Sequence, residues 1–259
     1  MKDCPVTGAK LPLVIFAHGR GAWFGANHDT EEALADAGFV VAAINHPGDT
    51  TNDSSRRDTL PVWGSRPVDM VRLLDFMLND WKDRAVIDPA KVGFFGFSLG
   101  GYAGFALRGT RPDFTWLAGV CKETTVTCAQ LHNGETLPDP PQDARIRTAV
   151  IVDPAPPVLT RKNLAAIKIP FEFWRSQFGG PGVGDGSPMA HVAEILPGKP
   201  EIHVVPAGHF AFLAPCSAEL GAAVPRICTD TPAGFDRVGF HREFNAAVVQ
   251  YFREQLGEQ

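Results

Sequence analysis

The sequence feature that most constrains the fold is a serine between glycines, Ser98 in the hexapeptide GFSLGG. A serine on a sharp strand-to-helix turn requires residues without Cβ atoms two positions before and two positions after it. Gly96 and Gly100 occupy those positions. The apolar run 91–95 suits a buried strand, and the small apolar run 102–107 suits a helix packed on a sheet. We therefore predict a nucleophilic Ser98 on a strand–turn–helix unit; the alternative is an ordinary glycine-rich turn in a chain with 26 glycines.

The rest of the chain alternates between apolar runs of strand length and helical patterns. Pro67 precedes apolar residues at helical spacing, and we predict that it opens a helix. This alternation is typical of the α/β class, with a mostly parallel central sheet and helices on both faces. The predicted elements, in chain order, are strand 11–17, helix 29–38, strand 39–44, the helix from Pro67, strand 91–95, strand 147–152, strand 171–174, helix 190–196, strand 201–205 and a final helix that includes 240–252.

Two segments lack such periodicity. Residues 110–145 are rich in Pro, Thr, Asp and Cys, and they predict an irregular excursion that forms a partial lid over a pocket. Residues 215–236 are irregular in the same way. No linker or repeat separates these segments from the rest, so residues 1–259 are expected to form a single domain.

Composition excludes several classes of partner. A net charge of −5 without any run of Lys or Arg argues against nucleic acid or an anionic membrane surface. No apolar stretch reaches the ~18 to 20 residues of a membrane span. The first residues lack the small-residue cleavage site of a signal peptide. The localisation stays open: periplasmic or secreted if an upstream export signal exists, and cytoplasmic otherwise.

The five cysteines allow two interpretations. Cys121 and Cys128 lie in one loop, Cys216 and Cys228 bracket another, and Cys4 is left over. This layout suits two local disulfides in an oxidising compartment, with the 216–228 pair the best candidate, but five reduced thiols fit equally well. None has the spacing of a zinc site, and we predict neither a metal nor a cofactor.

An activated serine requires a histidine and a carboxylate, which follow it in the order Ser, Asp or Glu, His in this type of fold. His209 is the candidate base because it follows strand 201–205 in a glycine-flanked loop. Two carboxylates compete for the third position. Asp153 directly ends strand 147–152, with a proline after it, whereas Asp185 lies in a long glycine-rich loop before a helix. We prefer Asp153 because a rigid strand end positions a side chain better than such a loop, and we keep Asp185 as the alternative acid.

Two backbone amides must face the oxyanion that forms during acyl transfer. One belongs to the residue after the nucleophile, which is Leu99. The other belongs to the loop HGRG after the first strand, which nominates Arg20. The alternative for Arg20 is a surface residue whose side chain has no catalytic role, and the prediction concerns only its amide. We expect His18 to hold this loop rather than to transfer protons.

The motifs HGRG, GFSLGG, VDPAP and AGHFAFLAPC together resemble the α/β-hydrolase superfamily, with a likeness that runs from about residue 11 to residue 252. The segments 207–216 and 228–241 resemble, more narrowly, its predicted dienelactone hydrolase group. That group is similar to the platelet-activating-factor acetylhydrolases and, more distantly, to chlorophyllases, in which the acid lies at the strand end where this chain has Asp153. Relatives carry an N-terminal β-hairpin before the first strand seen here, so the sheet is expected to lack the usual N-terminal strands.

The resemblance implies a serine carboxylic-ester hydrolase that acts through an acyl-enzyme on small-molecule or lipid-like esters with short acyl groups. Dienelactone hydrolases proper use a cysteine nucleophile, so the name of the group does not indicate the substrate of an enzyme with Ser98. An acyltransferase that uses the same three residues and a non-catalytic binding protein with this fold are the alternatives. The acyl length, the leaving group and the oligomeric state stay open.

Overall fold

The apolar runs form the strands of one sheet, and the central strands bury both of their faces between layers of helices. The computed structural model describes residues 6–122, 124–156, 158–181 and 183–257. Its strands are β1 (Leu11–Ala17), β2 (Val40–Ala43), β3 (Ile87–Phe97), β4 (Ile146–Val152), β5 (Phe171–Ser176) and β6 (Glu201–Val205). They pair in parallel in the order β2-β1-β3-β4-β5-β6. The predicted mostly parallel sheet is confirmed.

The helices flank this sheet on both sides. They are α1 (His28–Asp36), α2 (Leu60–Asp75), α3 (Leu99–Leu107), α4 (Phe114–Val120), α5 (Val126–His132), α6 (Arg161–Leu164), α7 (Ser187–Ile195), α8 (Ala218–Ala223), α9 (Pro225–Cys228) and α10 (Arg237–Leu256). A π-helical turn at Phe76–Asp80 extends α2. Among the described residues, none of these helices has the length and apolar character needed to span a bilayer.

Adjacent side chains of the central strands point to opposite faces and so belong to different cores. Phe94 of β3 packs in a cluster with residues of α2, α3 and α7. Its neighbour Phe95 packs in a second cluster with residues of α1 and α10, and its ring lies 6.3 Å from that of Phe244. Both phenylalanines are fully buried. The sheet is therefore a rigid support for residues placed at its edge.

The helix that contains Pro67 begins earlier than the sequence predicted. Pro67 lies inside α2, and Pro61 takes the first-turn position, so the prediction that Pro67 opens the helix is wrong. A proline inside a helix leaves the carbonyl four residues earlier without its donor. That carbonyl, of Trp63, accepts a hydrogen bond from the Tyr102 hydroxyl at 3.2 Å. The neighbouring helix α3 thus compensates for the bond that Pro67 cannot make.

The segment 110–145 is less irregular than predicted, because it contains α4 and α5. Both helices are too short for a clear period, but each begins with a side-chain cap, at Asp113 and at Thr125. Leu117 of α4 belongs to a small core that also contains Leu99, the residue after Ser98. The excursion therefore packs beside the turn that carries Ser98, and its action as a lid stays a prediction.

Four of the five cysteines are paired. The structure joins Cys121 to Cys128 and Cys216 to Cys228, which decides between the two interpretations of the sequence in favour of local disulfides. Cys4 lies outside the described residues. No strand precedes β1 in the described residues 6–10.

Candidate active site

The carboxyl ends of the central strands bring the predicted site residues together. Phe97 at the end of β3 is in register with Val152 at the end of β4, and Val152 is in register with Trp174 of β5. Ser98 and Asp153 directly follow two of these strand ends and are therefore neighbours. Ligands of open parallel sheets bind at this edge. The sheet thus places the serine and the preferred aspartate at its usual binding edge.

The turn at Ser98 has the conformation that its glycines predicted. Ser98 has φ +56° and ψ −119°, a left-handed backbone that is rare for a residue with a side chain. A Cβ atom added to Gly100 would lie 1.9 Å from the carbonyl oxygen of Ala17, and one added to Gly96 would lie 2.4 Å from that of Gly100. Neither position tolerates a side chain. Close approach of the helix to the two strands, rather than a positive φ, is what requires these glycines.

Three buried side chains form a hydrogen-bonded chain at this turn. The Nε2 atom of His209 lies 3.1 Å from Ser98 Oγ, and its Nδ1 atom lies 2.6 Å from Asp153 Oδ2. Ser98 retains 9% of its exposure, whereas His209 and Asp153 retain 3% and 0%. In this geometry Nδ1 of His209 donates to Asp153, which leaves Nε2 free to accept the serine proton.

Asp153 is held by a residue that the sequence analysis did not identify. Ser176, at the end of β5, donates its backbone N–H to Asp153 Oδ1 at 3.0 Å and its hydroxyl to Oδ2 at 2.6 Å. Asp153 itself has φ +42°, so it too adopts a left-handed conformation. The only feature of the sequence that points to Ser176 is its position at the end of β5. That position has meaning only when the strand order is known, because β5 must lie next to the strand that carries Asp153.

The structure does not bring Asp185 to the histidine. Its carboxylate is exposed and accepts the N–H and the hydroxyl of Ser187, at 3.1 and 2.6 Å, in the first turn of α7. These hydrogen bonds hold the pKa of Asp185 below its usual value. The glycine-rich loop before it contacts the site through its backbone instead, because the His209 N–H donates to the Gly179 carbonyl at 2.6 Å.

The imidazole of His209 is also held by an aromatic ring. The ring of Phe97 stacks on it, with 4.6 Å between centroids and an interplanar angle of 26°. A Cβ atom added to Gly180 on the glycine-rich loop would lie 3.2 Å from His209 Cβ. The imidazole therefore has little freedom to turn away from Ser98.

Each of the two nominated amides belongs to a peptide unit whose carbonyl is hydrogen-bonded. The Ser98 carbonyl, in the unit that ends at Leu99 N–H, accepts hydrogen bonds from the N–H groups of Tyr102 and Ala155 at 3.2 and 3.0 Å. The loop with Arg20 lies against the same turn, since a Cβ atom added to Gly19 would lie 3.2 Å from Ser98 Cβ. The Arg20 side chain is half-exposed and pairs with Asp58. Within the described residues, neither amide donates to a protein acceptor.

His18 takes part in hydrogen bonds that hold this loop. Burial, the nearby charge of Arg66 and the neighbouring His46 lower the pKa of His18 to about 2, so its imidazole is neutral. Its Nε2 atom accepts a hydrogen bond from the His46 N–H at 3.2 Å, which leaves the proton on Nδ1. This Nδ1–H donates to the Gly19 carbonyl at 2.7 Å.

His191 and His203, two other histidines that follow Ser98, lie outside this hydrogen-bonded chain. His191 is exposed on α7, and His203 lies in β6, where its ring stacks on Trp174 with 3.9 Å between centroids. His203 Nε2 lies 2.9 Å from Glu172 Oε1 and 3.3 Å from Glu201 Oε1. Among the described residues, this cluster has donor atoms close enough together for one metal ion, and it contains no residue of the Ser98 site.

Comparison with solved structures identifies the fold. A dienelactone hydrolase from Anabaena variabilis is 17% identical, with a TM-score of 0.55 over 95% of this chain and 88% of that protein. An esterase of Pyrococcus furiosus is 14% identical, with a TM-score of 0.56 over 96% and 85%. A ferulic acid esterase from Streptomyces cinnamoneus is 16% identical, with a TM-score of 0.60 over 98% and 68%.

Sequence comparison reaches less of the chain. No family model matches the sequence. A lasso peptide isopeptidase from Asticcacaulis excentricus is 34% identical over 105 residues, which are 36% of this chain and 15% of the isopeptidase. The narrower likeness to acetylhydrolases and chlorophyllases therefore stays a prediction. The sheet, its flanking helices and the similar structures show that the chain has the α/β-hydrolase fold, which it shares with a dienelactone hydrolase and several esterases.

Proposed function

We propose that the protein is a serine hydrolase of carboxylic esters that acts through an acyl-enzyme. The observation that carries the proposal is the hydrogen-bonded chain from Ser98 Oγ through His209 to Asp153, on a serine with a positive φ. A nucleophile within hydrogen-bond reach of a base, with the base oriented by a third group, is the arrangement of acyl-transfer enzymes.

The reaction follows from these contacts. Ser98 Oγ attacks the ester carbonyl while His209 Nε2 takes its proton, and the amides of Leu99 and Arg20 stabilise the negative oxygen of the tetrahedral intermediate. The intermediate collapses, and His209 gives the proton to the departing alcohol. Water, deprotonated by His209, then attacks the acyl-enzyme and releases the acid and Ser98. Asp153 stays ionised throughout and stabilises the imidazolium that forms twice in each cycle.

The proposed substrate is a small or lipid-like ester with a short acyl group. Two observations support an ester: similar structures include esterases and a dienelactone hydrolase, and the motifs around Ser98 and His209 resemble a hydrolase group with small substrates. The chain length and the alcohol are part of the proposal and are to be measured.

The experiment is a series of p-nitrophenyl esters of increasing acyl length, assayed with wild type and Ser98→Ala. The removal of the nucleophile is expected to lower kcat by about 10⁶, because the three residues act as a unit. A fluorophosphonate probe is expected to label the wild type once and not to label the variant. Circular dichroism provides the control that Ser98→Ala is folded. If the variant retains a tenth of the wild-type rate, the mechanism is wrong.

A second candidate reaction is the hydrolysis of an amide or isopeptide bond. It is supported by the partial match to the lasso peptide isopeptidase, and the same three residues can perform it. A pair of substrates with one acyl group, a p-nitroanilide and a p-nitrophenyl ester, separates the two. Preference for the ester beyond its greater intrinsic reactivity, judged against the uncatalysed rates, supports the first proposal.

The same assays address the two alternatives from the sequence. If an added alcohol diverts the product from free acid to a new ester, the enzyme is an acyltransferase. If the wild type neither reacts with the fluorophosphonate nor hydrolyses any ester, the protein is a binding protein with this fold, and the proposed function fails.

A further inference from the structure

The two nominated oxyanion donors are supported in different ways. Leu99 N–H lies in the first turn of α3, where helix and strand fix the backbone. Arg20 N–H lies in the connection between β1 and α1, outside regular secondary structure. An oxyanion donor must be held within ~0.5 Å of its productive position. The Arg20 N–H must therefore be held in position by residues outside this loop.

A buried guanidinium donates hydrogen bonds to this loop. Arg66 of α2 has 0% exposure, and its NH1 group donates to the His18 carbonyl at 2.5 Å while NH2 donates to the Gly19 carbonyl at 3.1 Å. Because no part of Arg66 reaches solvent, it cannot bind a substrate directly. Its side chain can act on the site only through the loop.

The counter-ion of Arg66, Asp49, accepts a hydrogen bond from the residue that follows Arg20. Asp49, which follows β2, accepts from Arg66 Nε at 3.2 Å and NH2 at 2.6 Å through Oδ2. Its other oxygen, Oδ1, accepts the N–H of Gly21 at 2.8 Å. The buried pair therefore fixes one group before Arg20 and one group after it.

The contacts of the Gly19 carbonyl also determine the orientation of the Arg20 N–H. The Gly19 carbonyl and the Arg20 N–H belong to one planar trans unit, in which they point in opposite directions. When Arg66 draws the carbonyl toward the interior, the N–H must point away from the interior. A Cβ atom added to Gly19 would lie 3.2 Å from Ser98 Cβ, so this peptide unit lies directly beside the nucleophile.

We propose that Arg66 and Asp49 are positioning residues that aim the Arg20 amide at the oxyanion. This inference rests on the proposed ester hydrolysis, because it assigns a role within that reaction. A role other than stability is expected for this pair, because replacement of a buried ion pair by apolar groups often leaves the free energy of unfolding unchanged or raises it. The contribution of the pair is then orientation of the loop rather than stability of the fold.

The test is the double variant Arg66→Met with Asp49→Asn, assayed on the best p-nitrophenyl ester. It removes both charges of the buried pair. Arg57, whose Nε atom lies 3.8 Å from Asp49 Oδ1, loses this partner but is partly exposed to solvent, and the asparagine Oδ1 still accepts the Gly21 N–H. The loss of one oxyanion donor is expected to lower kcat by about 10²-fold. KM is expected to stay within about threefold, because the donor acts on the transition state more than on bound substrate.

The matched control is Arg145→Met with Asp143→Asn. This ion pair, with 2.5 Å between Arg145 NH2 and Asp143 Oδ2, lies before β4, at the opposite end of the sheet from Ser98. It is expected to change the unfolding midpoint without changing kcat. A second test variant, Arg66→Lys, keeps a cation beside Asp49, but an ammonium cannot reproduce the planar fork that reaches both carbonyls. We expect it to lower kcat by at least about tenfold.

The proposal is overturned if the folded double variant or Arg66→Lys keeps kcat within about threefold of wild type, or if the control pair lowers kcat as much. A KM effect without a kcat effect would also overturn it. Failure of the proposed function has a different signature, because the wild type would then be inactive and unlabelled by the fluorophosphonate. An active wild type with unaffected Arg66 variants rejects only the positioning role.

Discussion

Asp153 and Asp185 make the same kinds of hydrogen bond and yet have different surroundings. Each accepts the backbone N–H and the hydroxyl of one serine, Ser176 for Asp153 and Ser187 for Asp185. Ser187 lies two residues after Asp185 in an exposed turn. Ser176 lies on the neighbouring strand β5, and Asp153 is fully buried.

This difference shows what an orienting carboxylate needs. A bond to a residue close in sequence fixes a carboxylate only against its own loop. A bond between the ends of two paired strands fixes it against the sheet, and the sheet also carries Ser98. Asp153 therefore reaches His209 with one oxygen held at 2.6 Å, while Asp185 serves the start of α7.

The largest test of this comparison is Asp153→Asn against Asp185→Asn. Asparagine at 153 is expected to favour the wrong tautomer of His209 and to lower kcat on a short ester by about 10⁴. Asparagine at 185 is expected to leave kcat within about twofold, because Asp185 touches only its own turn. Steady-state kinetics at neutral pH measure both. The reverse pattern would make Asp185 the acid.

The second test asks whether a cross-link between residues close in sequence also acts only on its own segment. Replacement of Cys216 and Cys228 by serine is expected to lower the free energy of unfolding by about 3 kcal/mol, through the entropy of the opened loop. The kcat of the folded enzyme is expected to change less than about twofold, because neither sulfur contacts Ser98, Asp153 or His209. Urea unfolding and active-site titration with the fluorophosphonate measure the two effects.

The matched variant replaces Cys121 and Cys128, which close a shorter loop. Thiol titration of denatured wild type made under oxidising conditions provides the chemical control. With two bridges, the five cysteines leave at most one free thiol. Four or five free thiols would show that the bridge 216–228 is absent.

A smaller effect on kcat is expected to distinguish Ser176, the partner of Asp153, from Ser187, the partner of Asp185. Ser176→Ala removes the hydroxyl donor to Asp153 but keeps the backbone N–H, and it is expected to lower kcat about tenfold, the value of one hydrogen bond to a charged group. Ser187→Ala is expected to have no effect on kcat. Equal effects of the two variants would contradict the distinction between bonds within a loop and bonds between strands.

The smallest expected effect is on the pH dependence of the free energy of unfolding, and it distinguishes a buried histidine from an exposed one. The pKa of His18 falls from 6.5 in the unfolded chain to about 2 in the folded one, so the unfolded state binds a proton that the folded state does not between these values. The free energy of unfolding should therefore fall as pH drops below 6.5. His18→Asn is expected to flatten this slope by up to about 1.4 kcal/mol per pH unit.

The control for the slope is His191→Asn, at an exposed position on α7. Urea unfolding at pH 7, 6 and 5 measures both variants. His46, whose pKa burial and Arg66 also lower, is present in every variant and contributes to all of the slopes. A His18→Asn slope identical to that of wild type would show that His18 binds protons equally in the folded and unfolded states, which contradicts the lowered pKa.

The sequence by itself determined the features that depend on local sterics and on periodicity. The glycines around Ser98 predicted the turn because only residues without Cβ atoms fit there, and the apolar runs predicted the strands because a buried strand must be apolar on both faces. The sequence also nominated Asp153 and His209, since each directly follows a strand.

The tertiary structure decided the features that depend on pairs far apart in the chain. The order of the strands placed Ser176 against Asp153, and the packing of α2 under β1 placed Arg66 against His18 and Gly19. Arg66 continues an apolar helical stripe with Val62 and Met70, which shows burial but not a partner. The partner of a buried polar group is set by whichever chain segment packs next to it, and a sequence read along its length does not contain that adjacency.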